Sequence, residues 1–332
     1  MKTALVTGGC GFIGSSLVKE LVKLGWQVDI VDNMSNGHLE LLEGLKLRVL
    51  PNGSFYTAYK MQDIPRAQDE VLVMQDDFAD DNILNGIYQG TYNAIFHQAA
   101  MPRVSYSVEN PFETTNENIS KTVKLFESAS GTVDRIVWAS SSSVYGGSEN
   151  LPTKETESKD IKSPYAWQKS AIEDFSKLAY DLYNLDIVCL RYFNVFGPGQ
   201  YGDSPYSTAV SAWCNSIKKD QECRSDGDGE QTRDMCYIDN VVSANILAAQ
   251  KKEPFKGACY NIGCNRSVSN NEILEALKEK FGEKVKVIHA PVRAGDVKHT
   301  LADVSKAKKD FGYEPLVHFW EGLEKTIHWW NI

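Results

Sequence analysis

Tyr165 and Lys169 stand four residues apart in the run Ser163-Pro164-Tyr165-Ala166-Trp167-Gln168-Lys169. On a helix that spacing puts both side chains on one face. A tyrosine titrates near pH ~10, so acting as a base near neutrality needs a fall of ~3 units, or ~4 kcal/mol of extra phenolate stabilisation. A lysine ammonium one turn away supplies part of it. Tyr-x-x-x-Lys also arises often by chance, so its meaning depends on the elements around it. A second set of hydroxyls lies in Ala139-Ser140-Ser141-Ser142-Ser143-Val144-Tyr145-Gly146, after a strongly apolar strand. Active sites of open α/β sheets lie at the carboxyl ends of strands, where a hydroxyl can bond a substrate oxygen. Serines at strand ends also make purely local backbone bonds, and for this run taken alone both readings stay open.

A redox partner for such a base has its own signature. Gly8, Gly11 and Gly14 form G-x-x-G-x-x-G, with Phe12 and Ile13 between the last two, directly after the short strand Thr3–Thr7. Small residues there permit a tight turn and a close backbone approach to a pyrophosphate at the helix N-terminus. Asp32, followed by Asn33, ends the next strand 18 residues past Gly14. A carboxylate at that point accepts hydrogen bonds from the adenosine ribose and repels a 2′-phosphate, which favours NAD over NADP. Asp77-Phe78 follows a third strand, where an acid meets the adenine amine. His97-Gln98-Ala99-Ala100 ends a fourth, where Gln98, Ala99 and Ala100 let a cofactor lie close.

The elements that must position these residues alternate. Strands are expected at Thr3–Thr7, Gln27–Val31, Val71–Met74, Asn93–Phe96, Arg135–Ala139 and Ile187–Leu190. Helices are expected after the Gly loop through Leu24, over Thr114–Ser130, over Ala166–Asn184 and over Asn271–Phe281. This order predicts an α/β fold with a doubly wound parallel sheet of Rossmann type. After Asn194 the pattern changes, and a smaller C-terminal α/β lobe is expected. Residues 1–193 are assigned mainly to cofactor binding and 194–332 mainly to substrate binding, with a stretch near 235–252 returning to the first part. Residues 51–70 are polar and poorly periodic, an excursion over the surface.

The 332 residues carry a formal net charge of −9, which argues against a nucleic-acid surface. An anionic ligand would need local arginines. Seven scattered cysteines suit a reducing compartment, and Cys189, Cys236 and Cys259 read as small buried hydrophobes. No Cys/His cluster has metal spacing, so no metal is expected. Met1-Lys2-Thr3 runs straight into a strand, and no apolar run approaches a membrane span. The expected location is the cytoplasm.

Together these segments resemble the extended short-chain dehydrogenase/reductase family, most closely its nucleotide-sugar 4-epimerases and in particular the UDP-N-acetylglucosamine 4-epimerases. The resemblance is carried by the Gly loop, Val31-Asp32-Asn33, the Ser140–Gly146 run, Tyr165 with Lys169, Arg191-Tyr192-Phe193-Asn194-Val195-Phe196-Gly197, Gly227-Asp228-Gly229 through Arg233-Asp234, and Arg293-Ala294-Gly295-Asp296. It implies that Tyr165 takes the proton from the sugar O4. Lys169 would bond the nicotinamide ribose and lower the tyrosine pKa, and Ser141, beside Ser142, would bond O4. It further implies that Asn194 holds the substrate near its diphosphate, that Arg233 and Arg293 contact that diphosphate, and that Asp296 takes the uridine ribose. Guanidinium groups pair well with phosphate oxygens. A homodimer is implied, through Thr114–Ser130 and Ala166–Asn184.

Dehydrating relatives carry an Asp-Glu pair beside the serine or threonine, and decarboxylating ones often a Glu before Val-Tyr-Gly. Here the positions are Ser142-Ser143, so transient oxidation at C4 followed by 4-epimerisation is the economical reading. Thr300 lies four residues after Asp296, where the family places the border of the sugar 2-substituent. A small residue there admits an acetamido group, so UDP-GlcNAc and UDP-GalNAc are expected, with UDP-Glc and UDP-Gal also in play. Arg103 departs from the usual small Gly-Ser stretch: facing inward it would reach the sugar or the phosphates and suit a uronic acid, and facing solvent, the commoner fate of arginine, it would be an ordinary surface charge. A UDP-glucuronate 4-epimerase or decarboxylase, and a non-catalytic NAD-binding sensor, are the alternatives.

Overall fold

A computed structural model of the chain describes residues 2–51, 66–67, 69–102, 104–202, 207–292 and 297–332. Arg103, Arg293 and Asp296 lie outside the described residues, as does most of the stretch expected to run over the surface between 51 and 70.

In chain order the elements are β1 (Thr3–Thr7), α1 (Phe12–Lys23), β2 (Gln27–Val31), β3 (Lys46–Leu50), β4 (Glu70–Met74), α2 (Asp81–Tyr88), β5 (Ala94–His97), α3 (Val104–Glu109), α4 (Pro111–Thr115), α5 (Lys121–Ala129), β6 (Arg135–Ser141), α6 (Pro164–Tyr183) and β7 (Ile187–Tyr192). There follow β8 (Val195–Phe196), α7 (Ala209–Lys218), β9 (Cys223–Asp226), β10 (Thr232–Asp234), β11 (Cys236–Tyr237), α8 (Ile238–Gln250), β12 (Cys259–Ile262), β13 (Ser267–Ser269), α9 (Asn270–Phe281), β14 (Val287–Ala290), α10 (Ser305–Phe311) and α11 (Phe319–Trp330). The chain divides into two compact units. One holds residues 1–141, 163–190 and 244–260, the other 142–162, 191–243 and 261–332.

The first unit is built on an eight-stranded sheet in the order β12-β7-β6-β5-β1-β2-β4-β3. Strand β1 pairs in parallel with both β2 and β5, so the winding reverses between β1 and β5. That reversal opens a crevice at the carboxyl ends of these strands. The strands read as near-continuous apolar runs because helices cover both faces. Leu5, Leu72, Ile95, Ile136 and Ile187 are each essentially fully buried in one cluster with Leu125, Phe126 and Ile172 from the helices.

The helix expected over Thr114–Ser130 is interrupted. Between α4 and α5 the backbone widens into a π-turn over Asn116–Ser120. There the Asn118 side chain accepts from Met101 N at 2.8 Å and donates to the Gln168 side chain at 2.8 Å. One extra residue in the turn aims a polar side chain inward, the usual effect of a π-bulge. Cys259 also departs from expectation: it is partly exposed, whereas Cys189 and Cys236 are buried.

Among the described residues the second unit has three two-stranded sheets: β10 with β13, β8 with β11, and β9 with β14. Helix α9 starts on a capping box, Ser269 with Glu272. Asp234, fully buried at the end of β10, accepts backbone N–H bonds from Cys264, Asn265 and Ala302 at 2.7, 3.0 and 3.0 Å. It thereby ties two loops to one strand. Burial outweighs these bonds and pushes its carboxyl up to about 6.

Candidate active site

The Gly loop joins β1 to α1 at the crevice. Gly8 has φ +68°, and a Cβ there would stand 2.9 Å from the Ala99 backbone. A Cβ on Gly14 would meet the Gly8 carbonyl oxygen at 2.1 Å. Glycine is required at both points, one for its left-handed backbone and one for the contact of helix with loop. Gly11 caps α1 without a side-chain bond, and no acidic residue stands in the first turn. Phe12 and Ile13 begin that turn, so its N–H groups and positive dipole end suit an anion. The cradle fits a pyrophosphate.

Asp32 follows β2 directly. One carboxylate oxygen accepts from Cys10 N and the other from Met34 N, both at 2.9 Å. The carboxylate is thereby fixed in orientation, with lone pairs remaining for ribose hydroxyls. Burial raises its pKa against those bonds. The exposed Asn33 turns back on itself, accepting from Ser35 N at 3.1 Å.

Asp77 accepts from Ala79 N at 2.9 Å and from Lys121 Nζ at 2.5 Å, so its carboxylate is already engaged by the protein. Phe78 packs its ring 4.9 Å from that of His97. Gln98 donates to the Asn245 side chain at 3.1 Å. Ala99 N donates to the Thr7 hydroxyl at 3.2 Å, and Ala99 and Ala100 both lie half-buried.

The side chains with acid–base chemistry lie at the end of β6 and on α6. Helix α6 starts at the Ser163 cap with Pro164 in its first turn, a combination that fixes its entry. Tyr165 N donates to the Ser107 hydroxyl at 3.1 Å. The Tyr165 and Ser141 side chains share a hydrogen bond. Lys169 Nζ donates to the Ala139 carbonyl at 2.6 Å and lies 5.7 Å from the Tyr165 ring centroid and 4.7 Å from that of Trp138. Tyr165 and Lys169 are 8 % and 3 % exposed.

Burial governs both groups. It pushes the Tyr165 phenol up to about 12, with the Ser141 bond opposing, and it pulls the Lys169 ammonium down to about 7. The spacing alone suggests a tyrosine already lowered by its lysine. In the structure desolvation works against both charged forms. Glu173, which a reading of motifs passes over, completes the cluster with Ser140: the Ser140 hydroxyl donates to Glu173 at 2.6 Å. The signal for Glu173 was its place four residues beyond Lys169, continuing the Tyr-Lys period.

In the second unit, Ser142 opens the short 3-10 turn Ser142–Tyr145. Asn194 donates through its amide to Thr300 Oγ1 at 3.2 Å and to the Asp234 carbonyl at 3.4 Å. The structure therefore brings Asn194 and Thr300 together. Arg233, half-buried, donates to the carbonyls of Thr232 at 3.0 Å and Lys298 at 3.2 Å.

Two motif residues without an expected role acquire one here. Arg191 donates to the Tyr145 hydroxyl at 2.6 Å, and Tyr145 donates to the Asn261 side chain at 2.7 Å. Asn261 in turn donates through its amide to the carbonyls of Thr153 and Asp303 at 2.9 and 3.2 Å. This buried chain of bonds holds the segments leading to Ser142, Asn194 and Thr300. Among the described residues no group of three or more His, Cys, Asp or Glu side chains gathers to hold a metal.

The family model for GDP-mannose 4,6 dehydratase matches residues 5–326. The chain is 33 % identical to the UDP-glucuronate 4-epimerase of Thermodesulfobacterium geofontis, over 98 % of this chain and 95 % of that one. Among solved structures it resembles the UDP-N-acetylglucosamine 4-epimerase of Methanobrevibacter ruminantium in complex with UDP-N-acetylmuramic acid. That likeness has a TM-score of 0.86 at 32 % identity and covers 99 % of this chain and 98 % of that one. It also resembles the UDP-glucose 4-epimerase of Thermus thermophilus in complex with NAD, with a TM-score of 0.80, 28 % identity and 99 % of both chains covered. Glycine cradle, strand-end acid and the serine, tyrosine and lysine cluster thus stand in a chain that matches such proteins end to end, and it belongs to the UDP-sugar 4-epimerase family of extended short-chain dehydrogenases/reductases.

Proposed function

We propose that the protein is an NAD-dependent 4-epimerase that interconverts UDP-GlcNAc and UDP-GalNAc, and UDP-Glc and UDP-Gal as a secondary pair, through a 4-keto sugar. The observation that carries this reading is the buried Tyr165, hydrogen-bonded to Ser141 and one helical turn from Lys169. Bound NAD supplies a reversible hydride acceptor for C4 and, in its oxidised ring, a positive charge that favours the phenolate. The Gly8–Gly14 loop would seat the pyrophosphate, and Asp32 would take the adenosine ribose. Asp77, Phe78, Gln98, Ala99 and Ala100 would line the path of the cofactor.

Tyr165 removes the proton from O4 as C4 is oxidised and returns a proton when the opposite face is reduced. Ser141 holds O4 and relays that proton. Lys169 bonds the nicotinamide ribose and stabilises the phenolate. Asn194 and Arg233 hold the diphosphate end, Thr300 borders the 2-substituent, and Ser142 lies beside the sugar. Ser142 and Ser143 stand where dehydratases carry carboxyl acid–base groups, which supports epimerisation in spite of the dehydratase family model.

UDP-glucuronate is the second reading, favoured by the identity to the T. geofontis enzyme. The test is parallel incubation with UDP-GlcNAc, UDP-Glc and UDP-GlcA, followed by NMR of the products. Conversion of UDP-GlcNAc to UDP-GalNAc supports the first reading, turnover of UDP-GlcA alone supports the second, and release of carbon dioxide overturns both as epimerase readings.

A homodimer fits the surface of the first unit. Phe112 on α4 is 88 % exposed, and Trp167, Leu178 and Leu182 form an exposed apolar stripe on α6 at 48, 48 and 61 %. Such a stripe marks a contact surface. Among the described residues no helix is long and apolar enough to cross a membrane. All seven cysteines are thiols, which suits a reducing cytoplasm.

A further inference from the structure

Tyr165, Lys169 and Glu173 follow one another at four-residue steps along α6, and Lys169 and Glu173 are each only 3 % exposed. The Lys169 ammonium has a carbonyl acceptor, Ala139 O, which carries no formal charge. An ammonium held in a low-dielectric interior stays charged only against an anion. Beside it on β6 is the Trp138 ring, and His97 on β5 acts on it from the next strand. Burial and the Lys169 charge pull His97 down to about 3, so that ring is neutral. Glu173 is the first group that pulls Lys169 toward the charged form, and the second is the Cys189 sulfur on β7. Burial pushes the Cys189 thiol well up, so it too is neutral. The carboxylate of Glu173 is itself fixed by the Ser140 hydroxyl at 2.6 Å.

We propose that Glu173, held by Ser140, is the counter-charge that keeps Lys169 protonated, and is therefore a positioning residue for the Tyr165 base. The inference rests on the acid–base roles assigned above to Tyr165 and Lys169. It adds a fixed anion behind them, on the strand and helix that present them. Glu173 touches neither substrate nor cofactor in this scheme and acts through Lys169.

The experiment uses the purified holoenzyme, with kcat and KM measured across pH and bound NAD quantified after denaturation. Glu173→Gln keeps shape and removes charge. The expected result is bound NAD and KM close to wild type, kcat lowered about 10- to 100-fold at pH 8, and an alkaline limb moved down by about one pH unit or more. Glu173→Asp, which keeps the charge, restores the limb toward wild type. Ser140→Ala gives a smaller shift in the same direction, and it stands as the test if Glu173→Gln does not fold. An unchanged pH profile in a folded Glu173→Gln, or in Ser140→Ala where that variant stands in, overturns the proposal. So does an equal loss at every pH. Tyr165→Phe separates the two levels: if it retains activity the base assignment falls, whereas if it is inactive while Glu173→Gln is normal only the counter-charge falls.

Discussion

The Thr300 hydroxyl accepts hydrogen bonds from the Asn194 side-chain amide and from the Asp234 backbone N–H, each at 3.2 Å. Thr300 is therefore a tie between a strand end and a candidate substrate contact as well as a small side chain. Size and hydrogen bonding can be separated. Thr300→Val keeps the size and should raise the KM for UDP-GlcNAc about 5-fold, the worth of roughly 1 kcal/mol for one such bond. Thr300→Ser should stay close to wild type. Thr300→Tyr should depress turnover of acetamido sugars selectively, and an equal loss on UDP-Glc would refute the size gate.

Tyr165→Phe removes one oxygen from a site whose backbone is held independently by Ser107. The variant should retain bound NAD, measured by absorbance after release, and lose at least about 10³-fold in kcat.

Gly8→Ala and Gly25→Ala form a matched pair. Both positions have positive φ, +68° and +78°, yet only at Gly8 would the new methyl meet backbone, at Ala99. Gly25→Ala should cost about 1 kcal/mol of stability and nothing in cofactor content. Gly8→Ala should lose NAD as well, read as the ratio of bound nicotinamide to protein.

Tyr145→Phe cuts the chain of bonds from Arg191 to Asn261. Leaving those buried groups without that partner should lower stability by roughly 1–3 kcal/mol. Urea unfolding with equal slopes would register it as a shift in midpoint.

Leu182→Lys places a charge on the exposed stripe of α6. If the stripe pairs two copies, sedimentation should show a shift toward monomer with the helical signal of the protein retained. An unchanged sedimentation coefficient would place the dimer contact elsewhere.

The Rossmann framework was legible because its signals are local. Strands β1 and β2 lie where apolar runs place them, and Gly8, Gly14 and Asp32 follow at a spacing set by one strand–loop–helix unit. The π-turn at Asn116–Ser120 was not legible, since the partners of its inward Asn118 are distant in sequence, Met101 17 residues earlier and Gln168 50 residues later. Strand β14 is likewise invisible locally: it exists by pairing with β9, about 60 residues earlier in the chain. The Tyr165–Lys169 spacing carried the identity of the cluster but not the sign of its electrostatics, because burial depends on Trp138, Ala139 and other residues distant in sequence.

The passage of the chain between its two units governs how the molecule can be made. It changes unit five times, and β12, which flanks β7 at the margin of the large sheet, ends only at residue 262 of 332. On the ribosome the first unit therefore cannot finish before about half of the second has emerged. Until then the side of β7 that awaits β12 presents unpaired backbone, an open invitation to other nascent chains. A product terminated before residue 259 should accumulate as aggregate and not as a small cofactor-binding fragment, and chaperone demand during synthesis should be concentrated in that interval.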